Sequence, residues 1–396
     1  MCPPPPPAPH AELSEVQWTN LQSETIDWLR FPLVIFVICR HNFGMPDTVN
    51  LSEIDFSTFS SMDMYNIIRV LVREITLIAN SSFFLFSGFF FFNIGTLDKR
   101  AYMKKLRTRV GTLLIPYVLW NIICFAHWPA LMLLRKIINK EGNWDWFAMY
   151  FRELLGDGGI WNIFWHYHSW GTGTNILGWP RPGMAPYYIP MWFLQTLIVL
   201  TLLSPIIYVI CKYLKIYGII ILGLLCYTNI WFPIPGFGIN PIFFFSLGAY
   251  YGIFGKNLIV EMRRHKVFWC VISFVTLIPA VYYDHDGVST YNYFMPLFLF
   301  ATVISAINLT SSLIQNNRVK VNKTLAKATF FIYASHEIFR YKIGGLFDRI
   351  FGSSDPMVLT IRYFVVPILT AYACVGIYCM MKRVMPRTLG ILSGGR

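Results

Sequence analysis

Long apolar runs alternate along this chain with short polar segments that are rich in lysine and arginine. Runs of about 20 apolar residues are long enough to cross the hydrocarbon core of a bilayer as α-helices. The pattern therefore predicts an all-α polytopic membrane protein with about ten transmembrane helices. The ten predicted spans are 29–44, 75–95, 110–132, 188–210, 216–232, 239–255, 267–283, 294–314, 325–341 and 359–381.

The basic residues are divided unequally between the two sides of this arrangement. If the amino terminus is cytoplasmic, most of them fall on the cytoplasmic connections, and the opposite turns 233–238 and 284–293 have none. Loops rich in lysine and arginine stay on the cytoplasmic side, so we expect both termini to be cytoplasmic. The long segment 135–187 has five basic residues and is predicted to be extracytoplasmic, because long loops translocate largely regardless of their charge.

The composition agrees with this picture. Of the 396 residues, 55% are hydrophobic and only 13% are charged. Soluble domains contain about 25% charged residues, so a soluble globular protein is excluded. The net charge of +13 is spread over short inner loops, which predicts membrane orientation and no nucleic-acid partner. The expected location is the cell (plasma or inner) membrane, as a multi-pass protein in contact with the lipid bilayer.

The same pattern divides the chain into three segments. Residues 1–24 form a proline-rich tail, which we expect to be mobile because a proline run favours extended polyproline II backbone. Residues 25–385 form the membrane domain, and it includes the aromatic loop at 135–187. Residues 386–396 form a short cytoplasmic tail. The tryptophans of the loop suit either a membrane interface or a surface on which sugars stack.

The first predicted helix places Arg30 and His41 at the two ends of an almost entirely apolar stretch. Eleven helical residues turn through about 1,100°, so the two side chains are only ~20° apart around the axis and ~16 Å apart along it. An ionisable residue in a membrane helix is a functional hypothesis, because burying charge in lipid is costly. The alternative is that Arg30 and Arg40 extend to the interfaces and that His41 only caps the helix.

Five segments, in order, resemble the acyltransferase-3 family of integral membrane acyltransferases. The first, "IDWLRFPLVIFVICRH" at 26–41, has the Arg-x10-His pattern described above. The others are "SSFFLFSGFFF" at 81–91, "KKLRTRVGTLLIPYVLWN" at 104–121, "IPMWFLQTLIVL" at 189–200 and "LAKATFFIYASHEIF" at 325–339. Together they extend over residues 25–385. Many members have Arg-x-x-Arg before the proline of the third segment, whereas Thr112 follows Arg109 at that spacing here.

The resemblance implies transfer of an acyl group, usually acetyl, from cytoplasmic acyl-CoA to a hydroxyl of an extracytoplasmic or lipid-linked glycan. His41 is then the expected general base, because a neutral imidazole can accept the hydroxyl proton. Arg30, as a catalytic and donor-binding residue, would pair with the donor phosphates together with Arg107 and Arg109. Acyl-CoA is a substrate in this scheme, and no cofactor is expected to be bound permanently.

Four further polar or aromatic residues are predicted to belong to the pocket: Ser87, Trp192, His336 and Glu337. The serine precedes a glycine, and a glycine at that point would also allow close helix packing. The histidine with its neighbouring glutamate could orient His41 or bind the acceptor, and the alternative is a position at the outer interface. The tryptophan could line the cavity or simply pack.

Two other interpretations remain open at this stage. Ten helices that contain polar residues would also suit a transporter or exporter of a glycan or small molecule. Transport does not require an arginine and a histidine aligned along one helix, so the spacing favours the enzyme. His166 and His168 lie two residues apart without a third or fourth ligand beside them, so we predict no metal site.

Overall fold

The computed structural model describes residues 14–42, 54, 57–93, 96–140, 145–156, 159–284 and 292–395, and the proline-rich segment 1–13 lies outside this part of the chain. Most of the described chain is helical, which confirms the prediction of an all-α membrane protein. The helices are α1 (Glu15–His41), α2 (Ser61–Ile75), α3 (Ile78–Phe92), α4 (Lys99–Arg109), α5 (Ile115–Asn139), α6 (Asp145–Leu155), α7 (Ile160–Phe164), α8 (Trp192–Leu202), α9 (Ser204–Val209), α10 (Lys215–Thr228), α11 (Ile239–Ile253), α12 (Leu258–Arg263), α13 (Lys266–Asp284), α14 (Phe294–Gln315), α15 (Lys323–Phe351), α16 (Pro356–Val384) and α17 (Pro386–Leu392). Val110–Leu114 and Ile210–Leu214 are π-helical, and Ile189–Met191 is a 3₁₀ turn.

Helix α1 positions the site, because it packs against α3, α14, α15 and α16. Its first turn is fixed by a capping box, in which the Ser14 hydroxyl accepts from the Gln17 amide and the Gln17 side chain accepts from the Ser14 amide. Its 27 residues give a length of about 40 Å, enough to cross a bilayer. Leu33, Val34 and Ile38 are almost completely buried and hold the helix in the bundle.

Helices α3 and α11 approach each other closely through glycines. A Cβ atom on Gly88 would lie 1.9 Å from the carbonyl oxygen of Phe245. A Cβ atom on Gly248 would lie 2.0 Å from the carbonyl oxygen of Leu85. Only glycine permits this backbone separation, which is a common way to pack helices in membranes. The packing role considered for Gly88 is therefore confirmed.

Six stretches of the described chain are long and apolar enough to cross a membrane: Ser61–Phe92, Lys99–Asn139, Ser204–Thr228, Lys266–Tyr283, Phe294–Gln315 and Pro356–Val384. Two shorter helical stretches, Ile189–Leu202 and Ile239–Ile253, are also apolar. Helices α1 and α15 are absent from both groups, although their 27 and 29 residues are long enough. The count of ten spans and the cytoplasmic termini therefore stay predictions.

Several predicted boundaries differ from the observed ones. The predicted ninth span ended at residue 341, whereas α15 continues to Phe351. The segment expected as a loop from residue 135 begins inside α5, which ends at Asn139 because Lys140 adopts a left-handed conformation with φ of 55°. At Lys215, φ is 50° and ψ is −131°, so the chain turns there and Gly218 comes to lie against Ile210.

The long loop contains structure that the sequence pattern did not predict. Besides α6 and α7, it holds the antiparallel strands β1 (His168–Thr174) and β2 (Pro180–Ala185). The chain end is also structured, because the Trp120 indole donates to the Leu392 carbonyl at 3.0 Å. Helix α17 thus packs on α5 rather than extending away from the membrane domain.

Candidate active site

Two histidines from different helices meet at the end of α1. The ring centroids of His41 and His336 are 5.4 Å apart, with an angle of 42° between the ring planes. His336 is completely buried and His41 is half-buried. The contact exists because α1 packs along α15, which brings the last residue of α1 beside the middle of α15. Of the two placements considered for His336, the structure has the one next to His41.

A carboxylate and a guanidinium complete this cluster on α15. Arg340 donates to Glu337 through two bonds, from Nη2 to Oε1 at 2.6 Å and from Nε to Oε2 at 3.0 Å. Glu337 Oε2 also lies 3.8 Å from Nε2 of His336. His41 joins this group through its ring contact with His336. We call these four residues, His41, His336, Glu337 and Arg340, the histidine cluster.

The ring of His336 is oriented by the backbone. Its Nδ1 atom lies 2.6 Å from the carbonyl oxygen of Tyr333, one turn earlier on α15. A carbonyl oxygen can only accept, so Nδ1 carries the proton and Nε2 of the neutral ring is an acceptor. Nε2 is buried and has no hydrogen-bond partner within the described part of the chain. The cluster therefore contains a buried basic nitrogen as well as the ring of His41.

The end of α1 is held from both sides of His41. Arg40 donates from Nη1 to Oε1 of Glu74 on α2 at 2.9 Å, and the Glu74 side chain is completely buried. The Asn42 side-chain amide donates to the carbonyl oxygen of Tyr363 on α16 at 3.1 Å. These contacts connect α1 to two further helices and fix the position of His41 between them. Arg40 is thus the ion-pair partner of the buried Glu74, which differs from the alternative in which Arg40 extends to the interface.

Arg30 lines a cavity of about 450 Å³, which we call the arginine cavity. Three cations contribute to its wall, namely Arg30 from α1, Arg109 at the end of α4 and Lys327 from α15. The rest of the wall consists mainly of apolar and aromatic side chains. The other lining residues are Phe83, Phe86, Ser87, Phe90, Leu113, Phe193, Leu194, Leu197, Ala326, Thr329, Phe330 and Tyr333.

Two of these cations, Arg30 and Arg109, are held in defined positions. Arg30 donates to Asp27 at 2.8 Å, the i,i+3 pair expected from the sequence, and its guanidinium lies 5.8 Å from the ring centre of Phe90. Asp27 also pairs with Lys323 at 3.2 Å. Arg109 lies 5.5 Å from the ring centre of Phe91. Such cation–π contacts help to keep a guanidinium in an apolar wall.

The arginine cavity and the histidine cluster are neighbours, linked by Tyr333. Tyr333 lines the cavity, and the Tyr333 ring centroid is 6.4 Å from that of His336. The Tyr333 hydroxyl donates to the carbonyl oxygen of Pro190, which fixes the ring. Arg30 and His41 therefore both face α15, one at the cation-lined end and the other beside the cluster. A ligand with an anionic head and an extended apolar arm would fit this arrangement.

The remaining predicted site residues lie elsewhere. Trp192 lines a separate cavity of about 360 Å³, described below, and its ring packs 6.1 Å from that of Phe84. Arg107 is exposed on α4 and lines neither cavity. Only one of the two arginines predicted on this helix therefore joins Arg30 in the arginine cavity.

Sequence reasoning did not find Arg340 or Lys327. Arg340 lies three residues after Glu337 and four after His336, so helical spacing alone places it on their face. It was missed because the predicted span ended beside it. Lys327 stands within the quoted segment 325–339, two residues after its start.

The site combines a histidine cluster and an ion pair with a neighbouring cation-lined cavity, all within a helical bundle. These features are typical of the active site of a multi-pass membrane enzyme. A family model described as an acyltransferase domain, acyltransferase 3, matches residues 23–379. The chain belongs to this family, as the resemblance in its sequence suggested, and is a membrane acyltransferase.

One relative is the "Succinoglycan biosynthesis protein ExoH" of Rhizobium meliloti (strain 1021). It is 22% identical over 329 residues, which cover 78% of this chain and 77% of the relative. No solved structure matches the chain.

Proposed function

We propose that the protein is an O-acyltransferase of the cell membrane that moves an acyl group, acetyl in the simplest case, from cytoplasmic acyl-CoA to a hydroxyl of an extracytoplasmic or lipid-linked glycan. The observation that carries this proposal is the arginine cavity, whose wall contains three cations and also Tyr333, a ring neighbour of His336 in the histidine cluster. The glycan acceptor is proposed because the relative's name places that protein in succinoglycan biosynthesis.

The cations would bind the donor. Acyl-CoA has several phosphate groups, a long flexible arm and a thioester at the end of the arm. Arg30, Arg109 and Lys327 can pair with phosphate oxygens through charge-assisted hydrogen bonds. The apolar and aromatic wall of the cavity suits the arm. About 16 Å of helix separate Arg30 from His41, so the thioester could reach the cluster while the phosphates stay with the cations.

The histidine cluster would carry out the transfer, with His41 as general base. The imidazole accepts the proton of the acceptor hydroxyl while the hydroxyl oxygen attacks the thioester carbonyl carbon. The tetrahedral intermediate then loses the sulfur, and the proton passes to the CoA thiolate. The products are an ester on the glycan and free CoA. In this scheme His336, oriented by the Tyr333 carbonyl, is a positioning residue that holds the ring of His41, and Glu337 with Arg340 forms a fixed ion pair beside the two rings.

The proposed arrangement in the membrane has ten spans and cytoplasmic termini. It puts Arg30 and the basic helix α4 on the cytoplasmic side, where acyl-CoA is available. It puts His41 and the loop at 135–187 on the opposite side, with the glycan. The unequal distribution of basic residues supports this orientation.

The test uses purified protein with acetyl-CoA and extracted envelope glycans, followed by mass spectrometry of the glycans. We expect added acetyl groups that mild alkali removes, because esters are cleaved under conditions that leave amides intact. Longer acyl-CoA donors in parallel reactions define the acyl group. Glycans that cross the membrane of reconstituted vesicles without gaining an acyl group would contradict the proposal and favour transport.

A further inference from the structure

The second cavity, of about 360 Å³, lies where three separate segments meet. They are the turn that joins β1 to β2, the start of α8, and the loop between α10 and α11. Trp179, Trp192 and Trp231 each contribute to its wall, one from each segment. We call it the tryptophan cavity. Under the proposed topology it opens on the side opposite the basic loops.

The wall of this cavity is preorganised. The Asn175 side-chain oxygen accepts from the amides of Leu177 and Trp179 at 2.9 and 3.0 Å, which defines the turn between the strands. The Ile176 amide donates to the Thr228 carbonyl, which connects this turn to the end of α10. The Trp231 indole donates to the carbonyl of Phe237 at 2.7 Å. The indole of Trp231 is therefore positioned by the α10–α11 loop itself.

Among the described residues that line this cavity, Arg181 is the only charged one. It is held by Asn229, which ends α10 in a left-handed conformation with φ of 50°. With its amide oxygen turned towards Arg181, Asn229 accepts from Nε at 3.1 Å and also from Nη1. A guanidinium held in this way loses little side-chain freedom when it binds an anion.

Aromatic rings beside a fixed guanidinium match a specific kind of ligand. Indole faces pack against the C–H faces of a sugar ring, and the amphipathic ring tolerates its hydroxyls. A guanidinium binds a carboxylate through two parallel hydrogen bonds. A neutral sugar would pack against the tryptophans but would have no carboxylate to pair with the arginine. The Trp179 ring is 60% exposed, so it is accessible to a chain that lies across the cavity mouth.

We propose that the tryptophan cavity binds a sugar residue bearing a carboxylate, and that the acceptor of this enzyme is therefore an acidic glycan. The proposal that this sugar belongs to the acceptor rests on the proposed function, whereas its binding does not. Trp192 and its neighbour Phe193 line the tryptophan cavity and the arginine cavity respectively, so the two cavities lie on either side of the first turn of α8. A glycan bound in one is thus close to the proposed path of the acyl group.

The test measures binding, not transfer, so that its outcome is independent of the acyltransferase assay. The probes are a fluorescently labelled tetrasaccharide that contains hexuronic acid and the same tetrasaccharide after its carboxyl groups have been reduced to alcohols. Binding to the full-length protein in detergent is followed by equilibrium dialysis at about 0.15 M salt, where the general positive charge of the protein is largely screened. We expect the acidic probe to bind about tenfold more tightly than the reduced one.

Variants test the contributions of the arginine and of the tryptophans to binding separately. Arg181→Gln should remove the preference for the acidic probe and leave binding of the reduced probe unchanged. Trp231→Ala should weaken binding of both probes. Arg152→Gln and Trp161→Ala change an arginine and an exposed tryptophan of the same loop that do not line the cavity, and they should bind like the unmodified protein.

Three results would overturn the proposal. The first is equal binding of the two probes, or no binding of either, by the unmodified protein. The second is a preference for the acidic probe that survives in Arg181→Gln. The third is normal binding by Trp231→Ala, which would mean that the tryptophans serve as interfacial anchors. If the binding results are as expected but no acyl transfer is found, the cavity assignment stands and the proposed function fails.

Discussion

The ion pair between Glu337 and Arg340 gives the account its most quantitative prediction. Their side chains are only 18% and 7% exposed and are joined by bonds of 2.6 and 3.0 Å. Removing one partner of a buried pair costs about 3–5 kcal/mol, because the other charge is left unpaired, whereas exposed pairs contribute about 0–1 kcal/mol. With this degree of burial, we expect Glu337→Gln and Arg340→Gln each to lower the free energy of unfolding by about 3 kcal/mol.

The double variant tests whether this loss comes from the pair itself. Without either charge, nothing is left unpaired, so the double variant should lose no more than either single variant, about 3 kcal/mol at most. The single losses sum to about 6 kcal/mol, so this corresponds to a coupling energy of at least about 3 kcal/mol. The free energies are measured by SDS titration of the protein in mixed micelles, followed by circular dichroism.

A second bidentate pair, which joins α16 to α15, is the matched control. Arg362 donates to Asp348 at 2.6 and 3.1 Å, but the side chains are 17% and 30% exposed and lie outside the histidine cluster. Asp348→Asn should cost about 1–2 kcal/mol and leave the kcat of acyl transfer unchanged. Glu337→Gln should lower kcat by at least about tenfold, because small displacements of a catalytic group are costly. Strictly additive losses in the double variant, or an equal fall of kcat in Asp348→Asn, would refute the reasoning.

Three further predictions concern the donor, the packing and the topology. Arg30→Ala should raise the KM for acyl-CoA more than that for the glycan, with only partial rescue by Arg30→Lys, because lysine lacks the planar fork that binds phosphate. Gly88→Ala should lower the free energy of unfolding by about 2 kcal/mol, because its Cβ would meet a carbonyl oxygen at 1.9 Å, whereas Gly376→Ala, with open space around it, should be tolerated. In a background without native cysteines, an impermeant thiol reagent should label Ser169→Cys but not Thr108→Cys in intact cells.

Each of these three has an outcome that contradicts it. Arg107 is exposed and outside the arginine cavity, so an equal rise of the donor KM in Arg107→Ala would show that the effect of Arg30 is general electrostatic attraction. Full stability of Gly88→Ala would mean that α3 and α11 are not in close contact. Labelling at position 108 and not at 169 would invert the topology and place His41 in the cytoplasmic half.

The helical periodicity of α1 made part of this site predictable. Arg30 and His41 are local in sequence, and eleven residues of regular helix fix their relative positions. His336 with Glu337 could be found as polar residues in an apolar helix. Local patterns do not show which residue of another helix each of these residues contacts. The contact between His41 and His336 depends on how α1 packs along α15, and no periodicity within either helix specifies it.

The errors have a common physical cause. Hydropathy places the end of a membrane helix where charges appear, but Asp348, beyond the predicted end at residue 341, is paired with Arg362 of α16, and α15 continues to Phe351. The alternative in which Arg40 extends to the interface had the same basis, and it did not include Glu74, the partner of Arg40 on another helix. The tryptophan cavity could not be predicted from the sequence, because Trp179, Trp192 and Trp231 belong to three separate segments that come together only in the folded protein.

The central claim is that His41 is the general base of acyl transfer, and it is tested most directly by the turnover of His41→Ala. The account predicts that kcat with acetyl-CoA and the glycan acceptor falls by about 10²–10⁴-fold, while the protein inserts in the membrane and unfolds like the unmodified one. His265→Ala, which removes an exposed histidine outside both cavities, should keep normal turnover. Near-normal turnover of His41→Ala, together with a collapse of kcat in His336→Ala, would contradict the claim and transfer the role of base to the buried Nε2 of His336.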